Sequence, residues 1–264
     1  AYCDLAVFGA ALATVIGQGV SFIISIIYLY RKRSSFFFDF KPRSFLIEKA
    51  ALLRLIALGI PMAIQSAAIS FSKIILTSWI NMYGVVYSAL AGVYNKINTM
   101  SAIVSNSFTT AGSAMVGQNL GAKKNHRVVA VLKTVTVCSV VVCAVLSAAM
   151  LLFPMDIFAA FTSDVQVLSV AGILILPIII NFVGSASRSV SFSLINGSGN
   201  TKLNLAIALI DGIFARIGIS ALLGFALQMG CLGFWYGDAL AGFVPIVIGI
   251  CFFISGKWKA KDYE

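Results

Sequence analysis

Apolar runs, each long enough to cross a bilayer as a helix, recur along the whole sequence and leave few folds open to it. A membrane-spanning helix needs about 20 consecutive, mostly apolar residues. The sequence offers seven such runs, at 5–30, 52–80, 84–118, 128–153, 165–195, 203–227 and 231–254. Gly59-Ile60-Pro61, Pro177 and Pro245 punctuate them. Membrane helices tolerate such breaks because neighbouring groups satisfy the freed backbone. None of the runs shows the sustained alternation of a membrane β-strand. The expected fold is therefore all-α, a polytopic membrane helix bundle with seven transmembrane helices. Composition agrees: 60% of the residues are hydrophobic and 11% charged, against about 45–50% apolar and about 25% charged in soluble domains.

The charges then orient the bundle. The formal net charge is +10, which in a soluble protein would point to nucleic acid. Here the basic residues sit between the runs. Arg31, Lys32, Arg33, Lys41, Arg43, Lys49 and Arg54 lie between or at the ends of the first two. Lys123, Lys124, Arg127 and Lys133 follow the third, Lys202 the fifth, and Lys257, Lys259 and Lys261 the seventh. All of these fall on one side of a seven-span chain. The opposite connections, 81–83, 154–164 and 228–230, hold none and carry only Asp156 and Asp164. Basic residues collect on the cytoplasmic side, so the N-terminus is expected outside and the C-terminus in the cytoplasm. No nucleic-acid partner is expected; membrane lipid is. Residues 1–30 are too long for a signal-peptide core and end in Arg31-Lys32-Arg33, which reads as a span with a positive stop. In the loop 31–51, Phe36, Phe37, Phe38, Phe40 and Phe45 mingle with basic residues. It fits an interfacial segment and an ordinary linker equally well.

Six charged residues lie deep within the runs, away from their ends: Lys73, Lys96, Arg188, Asp211, Arg216 and Asp238. A charge at the centre of a membrane helix costs roughly 2.5–3.5 kcal/mol on insertion scales, so such residues face a bundle interior or a wet cavity. Depth along the helices makes Arg188 level with Asp211, and Lys73 level with Asp238. Lys96 and Arg216 fall nearer the midplane. Two readings stand. The carboxylates Asp211 and Asp238 bind a cation or proton, with Lys96 and Arg216 tuning them; or the charges form structural ion pairs. Gln65, Ser70, Asn95, Asn98 and Asn181 are uncharged polar residues at depth, expected to line a cavity with Met62, Phe71 and Tyr94 or to bond between helices. The five cysteines form no CxxC pair and read as small apolar residues. His126 is the lone histidine. No metal-ligand or nucleophile cluster is visible, so no metal, cofactor or enzyme activity is expected.

One segment is distinctive. Gly117-Gln118-Asn119-Leu120-Gly121-Ala122, followed by Lys123-Lys124, resembles the G-Q-x-x-G-A signature of the MATE (multidrug and toxic compound extrusion) family. Gly59-Ile60-Pro61, Asn196-Gly197-Ser198-Gly199 and the basic close Ser255-Gly256-Lys257 resemble further family features, in the family's order. Phe8-Gly9-Ala10-Ala11 resembles the family's sixth helix, and 7–36 weakly repeats 231–260. The family has two six-helix lobes. The resemblance implies that 1–30 corresponds to the last N-lobe helix, 31–51 to the interlobe loop, 52–256 to the C-lobe and 257–264 to a cytoplasmic tail. It implies a secondary active efflux transporter in the plasma membrane, exchanging amphipathic or cationic compounds for protons or sodium, with a missing N-terminal lobe as partner. A flippase of lipid-linked precursors and a non-transporting fragment are the alternatives. The sodium-coupled branch carries a Glu several residues after G-x-P; here 65–70 reads Gln-Ser-Ala-Ala-Ile-Ser, without a carboxylate. Gly117, Gly121 and Ala122 are expected to permit a tight helix exit.

Overall fold

A computed structural model describes residues 6–31 and 48–259. The loop phenylalanines, Lys32, Arg33, Lys41, Arg43 and Lys261 lie outside them. All regular structure among the described residues is helical. The chain divides into two compact units, 1–54 and 55–264. The first contains α1 (Ala6–Arg31), a single apolar helix whose side chains from Ala11 onward are exposed. A helix of this composition suits lipid as its solvent.

The second unit holds six antiparallel passes. The first, α2, runs Lys49–Asn81, with its opening turn in the other unit, and is followed by α3 (Val85–Gly121) and α4 (Asn125–Leu152). A short helix, α5 (Pro154–Ala159), crosses the far end. The next pass is α6 (Val165–Ala171), a 3-10 turn at Gly172–Leu174, and α7 (Ile175–Gly197). The last two are α8 (Thr201–Leu209) continuing into α9 (Arg216–Ala221), and α10 (Cys231–Ala241) leading to α11 (Val244–Ile254). The breaks have chemical causes. Proline lacks an N–H and clashes with the carbonyl four residues before it. Pro177 places that clash in the 3-10 turn, and Pro245 places it at Ala241, where α10 ends. Asp164 and Asn200 cap α6 and α8, accepting from Gln166 N–H at 2.9 Å and Leu203 N–H at 3.1 Å.

Among the described residues, six helices are long and apolar enough to cross a membrane. The exception among the seven expected runs is α3, which at 37 residues is the longest. It carries Asn95, Lys96, Asn98, Ser101, Ser105, Asn106, Thr109 and Thr110, too polar a set for that count. Of these, Asn98, Ser101 and Ser105 are buried, while Lys96, Asn106 and Thr110 are exposed. Two apolar clusters fill the interior: one around Leu90, Phe158, Ile178, Phe234 and Trp235, the other around Val116, Val128, Ile195, Ile207 and Phe252. A polar layer joins them. Ser105 Oγ donates to the Ser185 carbonyl at 2.7 Å, and the Ser139 and Ser189 hydroxyls pair at 2.8 Å. Small hydroxyl residues let α3, α4 and α7 approach closely. Outside, Val137, Val140, Val141 and Val145 on α4 and Val247, Ile250 and Ile254 on α11 are exposed, the lipid-facing counterpart of the core.

The signature segment works differently from its expected role. Gly121 is helical, with open space where a side chain would project. The left-handed residue of the exit is Lys123, φ +57°. Lys124 N–H reaches the Asn119 carbonyl at 2.8 Å and Lys123 N–H the Leu120 carbonyl at 2.9 Å, a Schellman-type close. Gly117 contributes packing: a Cβ there would lie 3.3 Å from the Gly197 carbonyl of α7. Ala122 follows the helix in the exit turn, Gln118 is exposed, and Gly59 stands in open space. Pro61 is buried inside α2 without breaking it.

Candidate transport cavity and buried charge network

Between α8 and α9 the backbone makes a π-helical turn, Ile210–Ala215. In an α-helix, residues five apart point about 140° away from each other. A π turn hydrogen-bonds i to i+5 and stacks them instead. Asp211 and Arg216 therefore face one another, with Arg216 Nη2 3.4 Å from Asp211 Oδ1. Arg188 of α7 reaches the same carboxylate, Nη2 to Oδ2 3.1 Å. On its other side Arg216 donates through Nη1 to Asp238 Oδ1 in a direct ion pair. Tyr94 of α3 donates its hydroxyl to Asp238 Oδ2 at 3.1 Å. The result is one line of alternating charge, Arg188–Asp211–Arg216–Asp238, closed by a phenol. Asp211, Arg216 and Asp238 are 0%, 3% and 3% exposed, so they are stabilised by one another rather than by water.

Close helix approach makes the Arg216–Asp238 contact possible. A Cβ at Gly237 would strike Ser220, and one at Gly233 would strike the backbone of Leu223 and Gly224. Both sides are small-x-x-x-small pairs, the pattern that lets membrane helices touch backbone to backbone. Ser220 Oγ donates across the seam to the Phe234 carbonyl at 3.2 Å. Above it Phe225 meets Trp79 and Phe234 edge to face, with centroids 5.1 and 5.0 Å apart, and Trp79 and Phe234 meet at a tilt at 5.4 Å. Below it Ser72 of α2 hydrogen-bonds the Gly212 carbonyl of the π turn.

Beside the network lies a cavity of about 480 Å³, bounded by α2, α3, α7 and Arg216. Gln65, Ser66 and Lys73 line it from α2, Asn98, Asn106 and Thr109 from α3, and Asn181, Ser185 and Arg188 from α7. A second cavity of about 330 Å³ shares Met62, Thr109, Thr110 and Asn196 with it and reaches Gly199 and Asn200, at the end where Lys202 lies. A third of about 470 Å³ lies between α2 and α3 and meets the first at Lys73; Asn95, Thr77 and Thr99 line it.

Several expectations change here. Arg188 and Asp211 do pair. Lys73 and Asp238 do not: they share a small pocket, but Arg216 occupies the carboxylate, carried to it by the π turn. Lys96 is exposed on α3, lines none of these three cavities and, among the described residues, forms no ion pair with Asp211 or Asp238. Phe71 and Ser70 are exposed outside the cavity, and Tyr94 is buried in the network. The sequence reading passed over Asn106, Thr109 and Thr110. Thr109 lies four residues after Ser105, and Asn106 lies three before Thr109 and four before Thr110; that spacing along one helix face was the available signal.

The MatE family model matches residues 61–222. This chain belongs to the MatE family. The MatE match takes in the signature segment, Asp211 and Arg216; Asp238 lies beyond it. The chain is similar to "Probable multidrug resistance protein YoeA" of Bacillus subtilis, 26% identical over 98% of this chain and 56% of that protein. It is also similar to "Probable multidrug resistance protein NorM" of Thermotoga maritima, 23% identical over 98% of this chain and 55% of that one. The MatE chain thus spans just over half the length of these relatives. The crystal structure of the eukaryotic MATE transporter AtDTX14 superposes with TM-score 0.81 over 96% of this chain and 56% of that chain, at 19% identity. The shared fold is a multi-pass membrane bundle.

Proposed function

We propose that this MatE chain forms a membrane lobe of a secondary efflux transporter, exporting small amphipathic compounds in exchange for protons or sodium ions. The observation that carries the reading is the polar cavity set against a buried charge network inside an apolar bundle. Transporter sites lie near mid-membrane between helices, where irregular backbone is tolerated because it lines a cavity. The π turn at Asp211 is such backbone. Asp211 and Asp238 are the carboxylates within the apolar helices, and Arg188 and Arg216 hold them ready to exchange partners during a cycle. The basic end faces the cytoplasm of a plasma membrane on this reading, as the lysine and arginine distribution favours. A second lobe is the partner with which alternating access proceeds.

The test compares cells that make the protein with the same cells after its gene is disrupted. Both are loaded with fluorescein and with rhodamine 123, amphiphiles that share a xanthene core and differ in charge. Disruption raises the steady-state content of at least one dye severalfold. Equal contents of both dyes in the two strains overturn the efflux reading.

A further inference from the structure

Every charged side chain on the wall of the main cavity is a cation: Lys73, Arg188 and Arg216. The two carboxylates of the bundle line other places. Asp211 is fully buried in the π turn, and Asp238 faces the small pocket behind Tyr94 and Trp235. From this geometry we propose that the cavity receives the anionic group of an amphipathic substrate, a carboxylate, sulfonate or phosphate, with Lys73 as its principal charge partner. The inference rests on the efflux reading and names its substrate class. It departs from the organic-cation expectation that the family resemblance raised.

The charge balance singles out Lys73. Arg188 and Arg216 are matched by Asp211 and Asp238, with distances of 3.1 and 3.4 Å and a direct ion pair. Lys73 is half-buried and has no ion pair within 4.0 Å among the described residues. Asp238, the carboxylate that shares its small pocket, is already engaged by Arg216 and Tyr94. One positive charge is therefore left over, on the cavity wall and beneath the bilayer surface. In a low-dielectric site a unit charge attracts an opposite partner far more strongly than it would in water. An organic cation at the same place would meet the unmatched Lys73 charge and no facing carboxylate. The neutral lining adds donors: the buried Gln65 Nε2 has no hydrogen-bond partner in the protein, and Ser66 and Thr109 stand nearby on the wall. A cavity of about 480 Å³ is of the size that encloses a small organic molecule.

Fluorescence polarisation of the purified full chain in detergent at pH 8, corrected for empty micelles, tests this with fluorescein as anion and rhodamine 123 as cation. Fluorescein binds at least about tenfold tighter than rhodamine 123. Lys73→Met weakens fluorescein by about tenfold or more, Lys73→Arg and Lys96→Met by less than about threefold. The melting transition of each variant verifies its fold; should Lys73→Met lose it, Lys73→Gln takes its place. Fluorescein binding no tighter than rhodamine 123, absence of both included, overturns the proposal, as does fluorescein binding indifferent to loss of the Lys73 charge. The cell assay separates the two claims. Lys73-dependent binding of fluorescein without dye export leaves the anion site standing and removes efflux. Export of rhodamine 123 together with cation-selective binding does the reverse.

Discussion

Arg216 is the residue on which the interior turns, because among the described residues it alone pairs with both Asp211 and Asp238. Removing one partner of a buried ion pair strands the other charge and costs about 3–5 kcal/mol, whereas removing both is often near neutral. Arg216→Met strands Asp238 while Asp211 keeps Arg188. The variant therefore loses about 3–5 kcal/mol of stability, seen as a lowered thermal midpoint in detergent, and adding Asp238→Asn restores most of it. Failure of the second substitution to recover stability would mean that the guanidinium acts through packing rather than charge. The residues of the network were legible in the sequence, since an ionisable group inside an apolar run has few places to go. The pairing was only half legible. Depth alone matched Arg188 with Asp211, but it also matched Lys73 with Asp238. Depth says nothing of rotation about a helix axis, and the π turn swings Arg216 round to claim Asp238.

At the scale of elements, the α9–α10 contact is set by absent side chains. Gly237→Leu forces α10 away from Ser220 and separates Asp238 from Arg216. Overpacking at buried sites costs about 1–3 kcal/mol, and here the lost ion pair adds to it, so the melting transition drops sharply or disappears. Gly218→Ala is the control, because a Cβ there meets nothing within 4 Å. It leaves the midpoint unchanged or raises it, by up to about 1 kcal/mol of helix propensity. The helices themselves were readable as apolar runs, and proline marked the breaks at 172–174 and 242–243. The π turn at Ile210–Ala215 was not readable. No residue type demands an extra residue per turn; the tertiary contacts of Asp211, Gly212 and Ser72 select it. The exit after the signature segment likewise rests on Lys123 in the left-handed region, a residue that gives no turn signal of its own.

For the whole molecule, orientation and export are the open claims. On the proposed orientation Asp156 lies outside and Lys202 in the cytoplasm. A membrane-impermeant maleimide added to intact cells therefore labels Asp156→Cys above the native background, and labels Lys202→Cys only after permeabilisation. The reverse pattern would invert the bundle. Membrane residence was legible throughout, since no other solvent suits so many exposed valines and isoleucines. The cavity was legible only as scattered amides and hydroxyls, because its walls come from helices far apart in sequence. The central claim is that the buried charge line serves export and is more than a packing device. Dye content of the gene-disrupted cells, complemented with the wild type or with Arg216→Met/Asp238→Asn, tests it most directly. The wild type restores low dye content, while the double variant, present in the membrane at equal amount and with its melting transition intact, leaves the content high. Full restoration by the double variant would contradict the account.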